Sequence, residues 1–289
     1  MLSILIPIYN YNAVPLVKKI KEQAHKTNVL FEIICLNDAS SLFLTENQEL
    51  AQLPCVRYEI SDKNQGRSKT RNQLAKRAQY DWLLFLDTDV MPVDEFLIER
   101  YLPFLNADKQ AVYGGIVYSD NQPEKQKLLR WVYGRSREAL TAEQRQKNPY
   151  LSFLTLNFLI HKDIFKTVQF NEDIPNMRHE DSLFSYHLKI NQVKISHIEN
   201  PVEHLGLDYF ENAIIKEKES LFALKNLLDQ NLIDPNYIKI GRVFCTLKKY
   251  RLTFLGAFFY HGTRFFFLKN IGSSNPSLFR FSSNFKKFV

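Results

Sequence analysis

Short apolar runs alternate with longer amphipathic stretches over residues 1–120. The runs are five to eight residues long and rich in Ile, Leu, Val and aromatic side chains, which is typical of strands buried on both faces of a sheet. They are Leu2–Ile8, 31–36, Val56–Ile60, Trp82–Leu86 and 111–118. The segments between them, 13–26, 42–52, 67–79 and 94–105, have the length and apolar spacing of helices. This alternation predicts an α/β fold in which helices flank a mostly parallel, mixed central sheet.

The second half of the chain adds two further apolar runs and two helical patterns. Residues 155–161 and 193–198 predict strands, whereas Glu180–Ile190 predicts a helix with one mainly apolar face. Residues 208–230 predict a longer, charged helix. We therefore expect an α/β domain over residues 1–205 and a helical extension over residues 206–289.

The extension differs from the rest of the chain in charge and in aromatic content. The net charge is +7, but residues 235–289 hold ten basic residues and no acidic one, so that the remaining chain is at +7 minus 10, about −3. The same segment holds 11 of the 23 phenylalanines, and its longest apolar run, 253–260, is far shorter than the about 20 residues that span a bilayer. A basic, aromatic segment favours binding to an anionic membrane surface, and nucleic acid is the alternative partner.

The three cysteines, Cys35, Cys55 and Cys245, are far apart and show no spacing that is typical of a metal site. We interpret them as reduced thiols of a cytosolic protein. Together with the basic extension, they predict a cytoplasmic protein that is located peripherally at the inner face of the cell membrane.

Polar clusters follow three of the predicted strands at their carboxyl ends, namely residues 7–10, 37–40 and 87–89. A basic cluster, residues 64–72, opens the helix after the third strand. In an open parallel sheet, ligands bind beyond the carboxyl ends of the strands. Two acidic clusters and the basic first turn of a helix are thus expected at the same edge. This combination indicates a site for a metal ion together with a phosphate group.

Asp87 and Asp89 directly follow a buried strand, so their carboxylates are confined to a small volume. Hard divalent cations such as Mg²⁺ bind through one or two carboxylates and the phosphate oxygens of a substrate. An acidic pair of this kind is more often a solvated turn, and its position at the end of a five-residue apolar strand is what favours a metal site.

These clusters, taken as a set, resemble the motifs of the family-2 glycosyltransferases. That family shows a strand ending in Pro-x-Tyr-Asn, a strand ending in Asp-x-Ser, an Asn-x-Gly helix start that closes on Arg-Asn, and a strand running into Asp-x-Asp. Here the elements are residues 7–10, 38–40, 64–72 and 87–89, in the same order and at similar spacing. The resemblance covers roughly residues 1–205, and it implies a GT-A fold and transfer of a sugar from a nucleotide-sugar donor. Thr70 stands where the family more often has Ala.

The resemblance also implies roles for particular side chains. Pro7 and Tyr9 would border the nucleotide base, Asp38 would hydrogen-bond it, and Arg71 would lie near the base or the diphosphate. Asp87 would reach the ribose or the donor sugar, and Asp89 would bind a Mn²⁺ or Mg²⁺ ion that bridges the diphosphate. The full set of expected donor-binding residues is Pro7, Tyr9, Asn10, Asp38, Asn64, Gly66, Arg71 and Asp87, and the expected metal ligands are Asp89, Asp87 and His204.

A second acidic pair, Glu180-Asp181, opens the predicted helix Glu180–Ile190. In inverting members of the family, an Asp at such a step is the general base, which removes the proton of the acceptor hydroxyl as it attacks the anomeric carbon. We expect Asp181 in this role, with Glu180 as the alternative. Acidic residues also favour the first turn of any helix, so a purely structural role stays open.

Three further features allow two interpretations each. His204 either completes the metal shell, which would favour Mn²⁺, or is structural. Asn157 either faces the donor or is a hydrogen-bonded core amide. Trp131, Tyr133 and Arg135 either contact the acceptor or pack their helix.

Two other classes of protein fit less well. A nucleotidyltransferase acting on sugar phosphates usually carries a Gly-rich loop after its first strand, and residues 8–16 contain no glycine. A basic nucleic-acid-binding protein would carry its charge on the body of the chain as well, so we expect no nucleic acid as a partner. The expected activity is inverting transfer from a nucleotide-sugar, with a UDP-sugar as the expected donor, to a hydroxyl of a glycan or lipid-linked glycan.

Overall fold

The computed structural model describes residues 1–174 and 178–252, without the side chains of residues 211, 214, 217, 218, 239, 240 and 244. The longest apolar run of the extension, residues 253–260, therefore lies outside the described residues, which end at residue 252. The strands are β1 Leu2–Ile8, β2 Phe31–Asn37, β3 Val56–Ile60, β4 Trp82–Leu86, β5 Val90–Pro92, β6 Ala111–Tyr113, β7 Ile116–Val117, β8 Asn157–His161, β9 Ile195–His197 and β10 Val202–His204. The α-helices are α1 Val14–His25, α2 Leu44–Gln48, α3 Arg67–Arg77, α4 Leu128–Arg137, α5 Ala142–Gln146, α6 Lys162–Thr167, α7 Glu180–Ile190, α8 Phe210–Asp229 and α9 Lys239–Lys249.

Seven strands form the central sheet in the order β3-β2-β1-β4-β8-β6-β9. The first four are mutually parallel, β8 runs antiparallel to β4 and β6, and β6 is parallel to β9. The expected α/β fold with a mostly parallel, mixed sheet is confirmed. Three short strands form a second sheet in the order β5-β10-β7, which the apolar pattern did not predict.

The central strand β1 is buried on both faces because helices cover the sheet from either side. Ile4 and Ile6 belong to an apolar cluster with Val17 of α1, whereas Leu5 belongs to the opposite cluster with Leu74 of α3. Alternating side chains of one strand thus enter two cores, as in a doubly covered parallel sheet.

Stacked aromatic rings hold α7 against the sheet. Phe184 of α7 stacks on Phe170 with ring centroids 4.2 Å apart, and Phe158 of β8 stacks on Phe85 of β4 at 4.8 Å. Full burial of a ring such as Phe184 contributes roughly 1.5–3 kcal/mol. This packing fixes the amino-terminal end of α7, where the pair Glu180-Asp181 lies.

Two neighbouring segments, 94–105 and 111–118, differ in kind from the sequence prediction. The predicted strand 111–118 is interrupted at Gly114 and Gly115, where Gly115 adopts φ +104°, so that β6 joins the central sheet and β7 joins the small one. The predicted helix 94–105 is replaced by a 3₁₀ helix, Glu99–Asn106, which contains Pro103. Proline has no N–H for the α-helical ladder, which accounts for the shorter and tighter element.

The chain divides into two compact units. One consists of residues Met1–Ser119 and Ala139–Gly206, and the other of residues 120–138 with the chain from Leu207 onward. Within the second unit α4 packs against α8, and Lys127 lies 4.7 Å from the ring centroid of Tyr209. Residues 120–138 therefore group with the extension, and the function assigned to each predicted domain stays a prediction. In the part of the chain that the structure describes, no helix is both long enough and apolar enough to cross a bilayer.

Candidate active site

Three neighbouring parallel strands, β2, β1 and β4, end at the same edge of the sheet and bring the predicted clusters there. Asn10 joins the first two clusters. Its backbone N–H donates to Ser40 Oγ over 2.8 Å, and its side-chain Oδ1 accepts from the N–H groups of Ser41 at 2.8 Å and Leu42 at 3.1 Å. The loop after β2 is thereby held against the end of β1.

The backbone at this edge is strained. Asn10, Ala39 and Phe43 have φ values of 50°, 53° and 57°, a left-handed conformation that a bulky residue such as Phe rarely adopts. Strain of this kind persists only where surrounding contacts enforce it, and it gathers at binding sites. Pro7 is partly buried here, and Tyr9 is 55% exposed, so an aromatic ring is presented to solvent.

Asp38 is buried, with 4% of its surface exposed, and it shapes the start of α3. Its two carboxylate oxygens accept from the N–H groups of Gln65 at 2.7 Å and Gly66 at 2.9 Å, and Asn64 Nδ2 donates to its carbonyl oxygen over 3.3 Å. Gly66 has φ +85°, the left-handed region that favours glycine, and directly precedes α3. Asp38 therefore fixes the turn from which α3 begins.

Arg71 of α3 lies buried between two acidic residues. It donates from Nη2 to Asp87 Oδ1 over 2.7 Å, and its Nη1 lies 3.9 Å from Glu180 Oε1. Its guanidinium also lies over the ring of Phe170, 5.3 Å from the centroid. Neither its Nε nor its Nη1 has a hydrogen-bond acceptor among the described residues. The segment after β4 and the start of α7 are therefore brought together by one cation.

Glu180 is a paired carboxylate. A second arginine, Arg67, approaches Glu180 Oε1 with its Nη1 at 3.2 Å. Burial opposes the charge of Glu180, but Arg67 and Arg71 together hold its pKa below the ordinary value. Glu180 therefore stays ionised and tied to α3, which is a poor arrangement for an acceptor of protons.

Asp181 has the opposite character. It makes no ion pair among the described residues, and its Oδ1 accepts from the N–H of Ser182 over 2.7 Å. Burial, and then the negative charge of Glu180, raise the pKa of Asp181 to about 6. A carboxylate whose pKa lies closer to neutrality is a stronger base than an ordinary Asp, and it is still ionised at pH 7.

Asn72, the residue after Arg71, ties α3 to the segment that leads toward α7. Its Nδ2 donates to the carbonyl of Phe170 and to Glu172 Oε1, both over 2.8 Å, and its Oδ1 accepts from the N–H of Phe170 over 3.0 Å. A single amide thus satisfies both backbone groups of Phe170, whose ring lies beneath Arg71.

Asp89 and His204 form a second polar pair at this edge. Strand β10 runs antiparallel to β5, with His204 opposite Val90, and the N–H of Leu205 donates to the carbonyl of Asp89 over 2.8 Å. His204 Nε2 lies 3.4 Å from Asp89 Oδ2. The expected proximity of these two side chains is therefore present in the structure.

The three expected metal ligands do not form a ready-made cluster. Within residues 1–174 and 178–252, no three His, Cys, Asp or Glu side chains are grouped closely enough to hold a metal ion. Asp87 instead pairs with Arg71. A carboxylate and an imidazole 3.4 Å apart nevertheless fit a divalent cation that takes its other ligands from a substrate, because neighbouring ligands of an octahedral ion lie about 3 Å apart.

The sequence profile of the family described as glycosyl transferase family 2 matches residues 3–168, which is more than half of the chain. The chain belongs to this family. Two uncharacterised glycosyltransferases of Haemophilus influenzae are similar to it. One is 37% identical over 91 residues, covering 31% of this chain and 29% of the relative; the other is 25% identical over 187 residues, covering 64% and 70%.

Solved structures show the same fold at low sequence identity. S. aureus TarS, residues 1–349, gives a TM-score of 0.52 at 17% identity, over 70% of this chain and 60% of TarS. The mannosyltransferase PcManGT of Pyrobaculum calidifontis, in complex with GDP-Man and Mn²⁺, gives 0.54 at 11%, over 79% and 64%. These matches confirm the GT-A fold. The chain spans less than two thirds of both structures.

Among the residues with two interpretations, Asn157 is a hydrogen-bonded core amide. Its Nδ2 donates to the carbonyl oxygens of Gly115 at 3.1 Å and Asn200 at 2.9 Å, and its Oδ1 accepts from the hydroxyl of Tyr101 at 2.9 Å. Trp131, Tyr133 and Arg135 lie on α4 in the second unit, where the guanidinium of Arg135 lies 4.9 Å from the ring of Trp131.

The sequence analysis assigned no role to two residues of this candidate site. Arg67 lies within the basic cluster 64–72, and its position directly after Gly66, at the first residue of α3, is the signal that could have assigned it a role. Gly206 follows His204 by two positions and lies against Asp89, for which the sequence carries no signal.

Proposed function

We propose that this protein is a metal-dependent, inverting glycosyltransferase that moves a sugar from a nucleotide-sugar donor to a hydroxyl group. The observation that carries the proposal is the placement of Arg71, which joins Asp87 on the donor side to Glu180, the neighbour of the basic carboxylate Asp181. One buried cation thus links Asp87, a proposed donor-binding group, to Glu180, the residue that precedes the proposed proton acceptor.

We assign the donor to the edge formed by β1, β2 and β4. Tyr9 is exposed beside the strained loop and would contact the base, while Asp38 and Asn10 hold that loop and the turn before α3. The donor proposed first is a UDP-sugar. S. aureus TarS was solved in complex with UDP-GlcNAc, and PcManGT in complex with GDP-Man, which supports a nucleotide-sugar without deciding the base.

Asp181 is the proposed general base. It takes the proton of the acceptor hydroxyl as the hydroxyl oxygen forms a bond to the anomeric carbon of the donor. The bond from that carbon to the diphosphate breaks in the same displacement, and its electron pair leaves on the diphosphate. One displacement from the opposite face inverts the anomeric configuration. Glu180, held by Arg67 and Arg71, positions Asp181 at the start of α7.

Asp89 and His204 are the residues that would hold Mn²⁺ or Mg²⁺. A bound cation of this kind supplies positive charge that stabilises the departing diphosphate. An imidazole beside the carboxylate favours Mn²⁺ over Mg²⁺, since Mg²⁺ prefers oxygen ligands. PcManGT, solved with Mn²⁺, supports the same choice.

The proposed acceptor is a glycan or lipid-linked glycan, and the proposed location is the cytoplasmic face of the membrane. Helix α9 presents exposed Arg242, Lys248 and Lys249 and is followed by Tyr250, which is 63% exposed. Basic side chains beside an exposed aromatic ring suit an anionic lipid surface. Flotation with vesicles tests this: binding should require anionic lipid and weaken when Arg242, Lys248 and Lys249 are changed to Glu, whereas retention by the triple variant would place the contact elsewhere.

The activity is tested with a panel of UDP-, GDP- and dTDP-sugars, purified protein and Mn²⁺. Transfer or donor hydrolysis should appear with one nucleotide class, stop with EDTA, and give a product of inverted anomeric configuration by NMR. Turnover that survives both EDTA and Asp89→Ala would overturn the metal assignment, and a retained anomeric configuration would overturn the single displacement.

A further inference from the structure

Gly206 lies where a side chain would meet the carboxylate of Asp89. A Cβ atom built on Gly206 would overlap Asp89 Oδ2, and it would lie 3.2 Å from both Asp89 Cγ and His204 Cε1. The space that any other residue would fill here is therefore occupied by the end of the Asp89 side chain, directly beside the ring of His204.

We propose that Gly206 is a positioning residue for the divalent cation: by lacking a side chain, it allows Asp89 to lie beside His204. This inference rests on the proposed function, in which Asp89 and His204 hold Mn²⁺ or Mg²⁺. The proposed role of Gly206 is indirect: it would act chiefly through the position of the Asp89 carboxylate.

The backbone at Gly206 has little freedom to retreat from a clash. Strand β10 is paired with β5 from Val202 to His204, and the N–H of Leu205 continues the ladder to the carbonyl of Asp89 over 2.8 Å. A displacement of Gly206 would have to break this pairing. The Asp89 side chain, in contrast, is 36% exposed and can rotate toward solvent. An added methyl group should therefore move the carboxylate and leave the chain in place.

Gly114 provides the contrast. A Cβ at Gly114 would lie 2.5 Å from each of three buried groups, Asn157 Nδ2, Asn200 O and Tyr101 Oη. These atoms are held in one hydrogen-bond network and cannot move aside separately. Gly114→Ala should consequently reduce the stability of the fold, whereas Gly206→Ala should change a ligand position at little cost in stability.

Loss of the Asp89–His204 arrangement should weaken cation binding. Changes in residues that orient metal ligands reduce affinity roughly 10–100-fold. We expect Gly206→Ala to weaken Mn²⁺ binding by about that factor and to leave the melting temperature of the metal-free protein near that of the native chain. Leu205→Ala is the matched control, since it shortens a 44% exposed side chain and adds no atom beside Asp89.

Binding of Mn²⁺, with and without UDP, is measured from the electron paramagnetic resonance signal of the free ion. Solutions of Mn²⁺ and UDP without protein serve as blanks. Native protein and Leu205→Ala should bind Mn²⁺ equally, and Gly206→Ala more weakly. In an Asp89→Ala background, Gly206→Ala should cause no further loss, because the group through which it acts is absent.

The outcomes distinguish the role of Gly206 from the metal site on which it depends. If native protein binds Mn²⁺ and Gly206→Ala binds it equally well, the role of Gly206 is wrong and the proposed function stands. If native protein binds no Mn²⁺ with or without UDP, the metal assignment is overturned and the role of Gly206 with it. If Gly206→Ala unfolds, adding Asp89→Ala removes the obstructing carboxylate and should restore the melting temperature; failure to restore it would rule out the contact.

Discussion

Arg71 donates from Nη2 to Oδ1 of Asp87 over 2.7 Å, and only 3% of its side chain is exposed. One buried guanidinium therefore compensates the charge of two carboxylates that are distant in sequence, because Glu180 lies on its other side at 3.9 Å. Arginine suits this position better than lysine, since its planar fork can face two partners at once.

Replacing Arg71 with Met should both destabilise the protein and reduce activity. Asp87 would lose its paired cation and Glu180 one of its two, which costs on the order of 3 kcal/mol in the free energy of unfolding. Displacement of Asp87 and α7 should lower kcat/KM by about 100-fold or more. Urea denaturation and steady-state kinetics measure the two effects.

Arg77 of the same helix provides the control for this prediction. It pairs with Glu59 at 2.8 Å, but both side chains are about one third exposed, at 33% and 35%. An exposed pair contributes at most about 1 kcal/mol. Equal losses of stability in Arg71→Met and Arg77→Met would show that the buried pairing of Arg71 stabilises the fold no more than a surface pair does.

The rate should depend on pH through Asp181. As a base it acts only when deprotonated, so kcat/KM should rise with pH and level off above about 6, the raised pKa of Asp181. Asp181→Asn should lower kcat by about 10²–10⁴-fold. Glu180→Gln removes a negative charge that raises the pKa of Asp181, so its activity profile should shift to lower pH. A shift of the activity profile to higher pH, or complete loss of activity in Glu180→Gln, would assign the base to Glu180.

The apolar pattern predicted the strands and helices that carry the site, for physical reasons that can be named. β1, β3, β4 and α7 have the predicted bounds, because each is a long apolar or amphipathic run bordered by polar residues. The short strands β5 and β10 were missed, since three residues are too few to show a periodicity.

Within the site, the chain order revealed which residues gather but not how they pair. Asp38, Asp87 and Asp89 were expected at one edge because parallel strands end together. The pairing of Arg67 with Glu180 joins residues 113 positions apart, and it depends on the packing of α7 rather than on a local pattern. The break between β6 and β7 at Gly114 and Gly115 could not be predicted, because apolar residues on both sides continue the pattern of a single strand.

Asp38→Asn should loosen the turn before α3. The carboxylate accepts hydrogen bonds from two backbone N–H groups. In the amide, one of the two oxygen acceptors is replaced by an NH₂ donor, which would face one of these N–H groups. Loss of a hydrogen bond to a charged acceptor costs about 1.5–3 kcal/mol. The melting temperature and the affinity for UDP, measured by calorimetry, should both fall. Asp62→Asn, an exposed change shortly before the same turn, should affect neither; unchanged UDP binding in Asp38→Asn would contradict the role of the turn.

Arg145→Met should reduce stability without a direct effect on the site. Arg145 is 1% exposed and donates to the carbonyl oxygens of Leu140, of Gly114 at 3.2 Å and of Ile198 at 2.6 Å. Leaving these acceptors buried and unsatisfied should cost about 3 kcal/mol or more in the free energy of unfolding. Lys147→Met, at a surface pair with Glu143, should change it by less than about 1 kcal/mol.

His197 makes the network around Arg145 sensitive to acid. Its Nδ1 accepts from Arg145 Nε over 3.3 Å and its Nε2 donates to the carbonyl of Pro149 over 2.9 Å, an arrangement that requires the neutral ring. Burial lowers the pKa of His197 from 6.5 to about 4. Between these pH values the unfolded chain binds a proton that the folded chain does not, so stability falls as the pH is lowered.

The raised pKa of Asp181 acts in the opposite direction over part of the same range, so the test of His197 is a comparison of variants. From pH 6.5 to 4, native protein should lose up to about 3 kcal/mol in the free energy of unfolding relative to His197→Gln. Urea denaturation at several pH values measures the difference in the free energy of unfolding between the two proteins. Asp181 is present in both, so its contribution cancels. The same comparison with His25→Gln, a change on the exposed side of α1, should show parallel curves. Parallel curves for His197→Gln would mean that the ring is protonated inside the fold and that Arg145 is held by the backbone carbonyls alone.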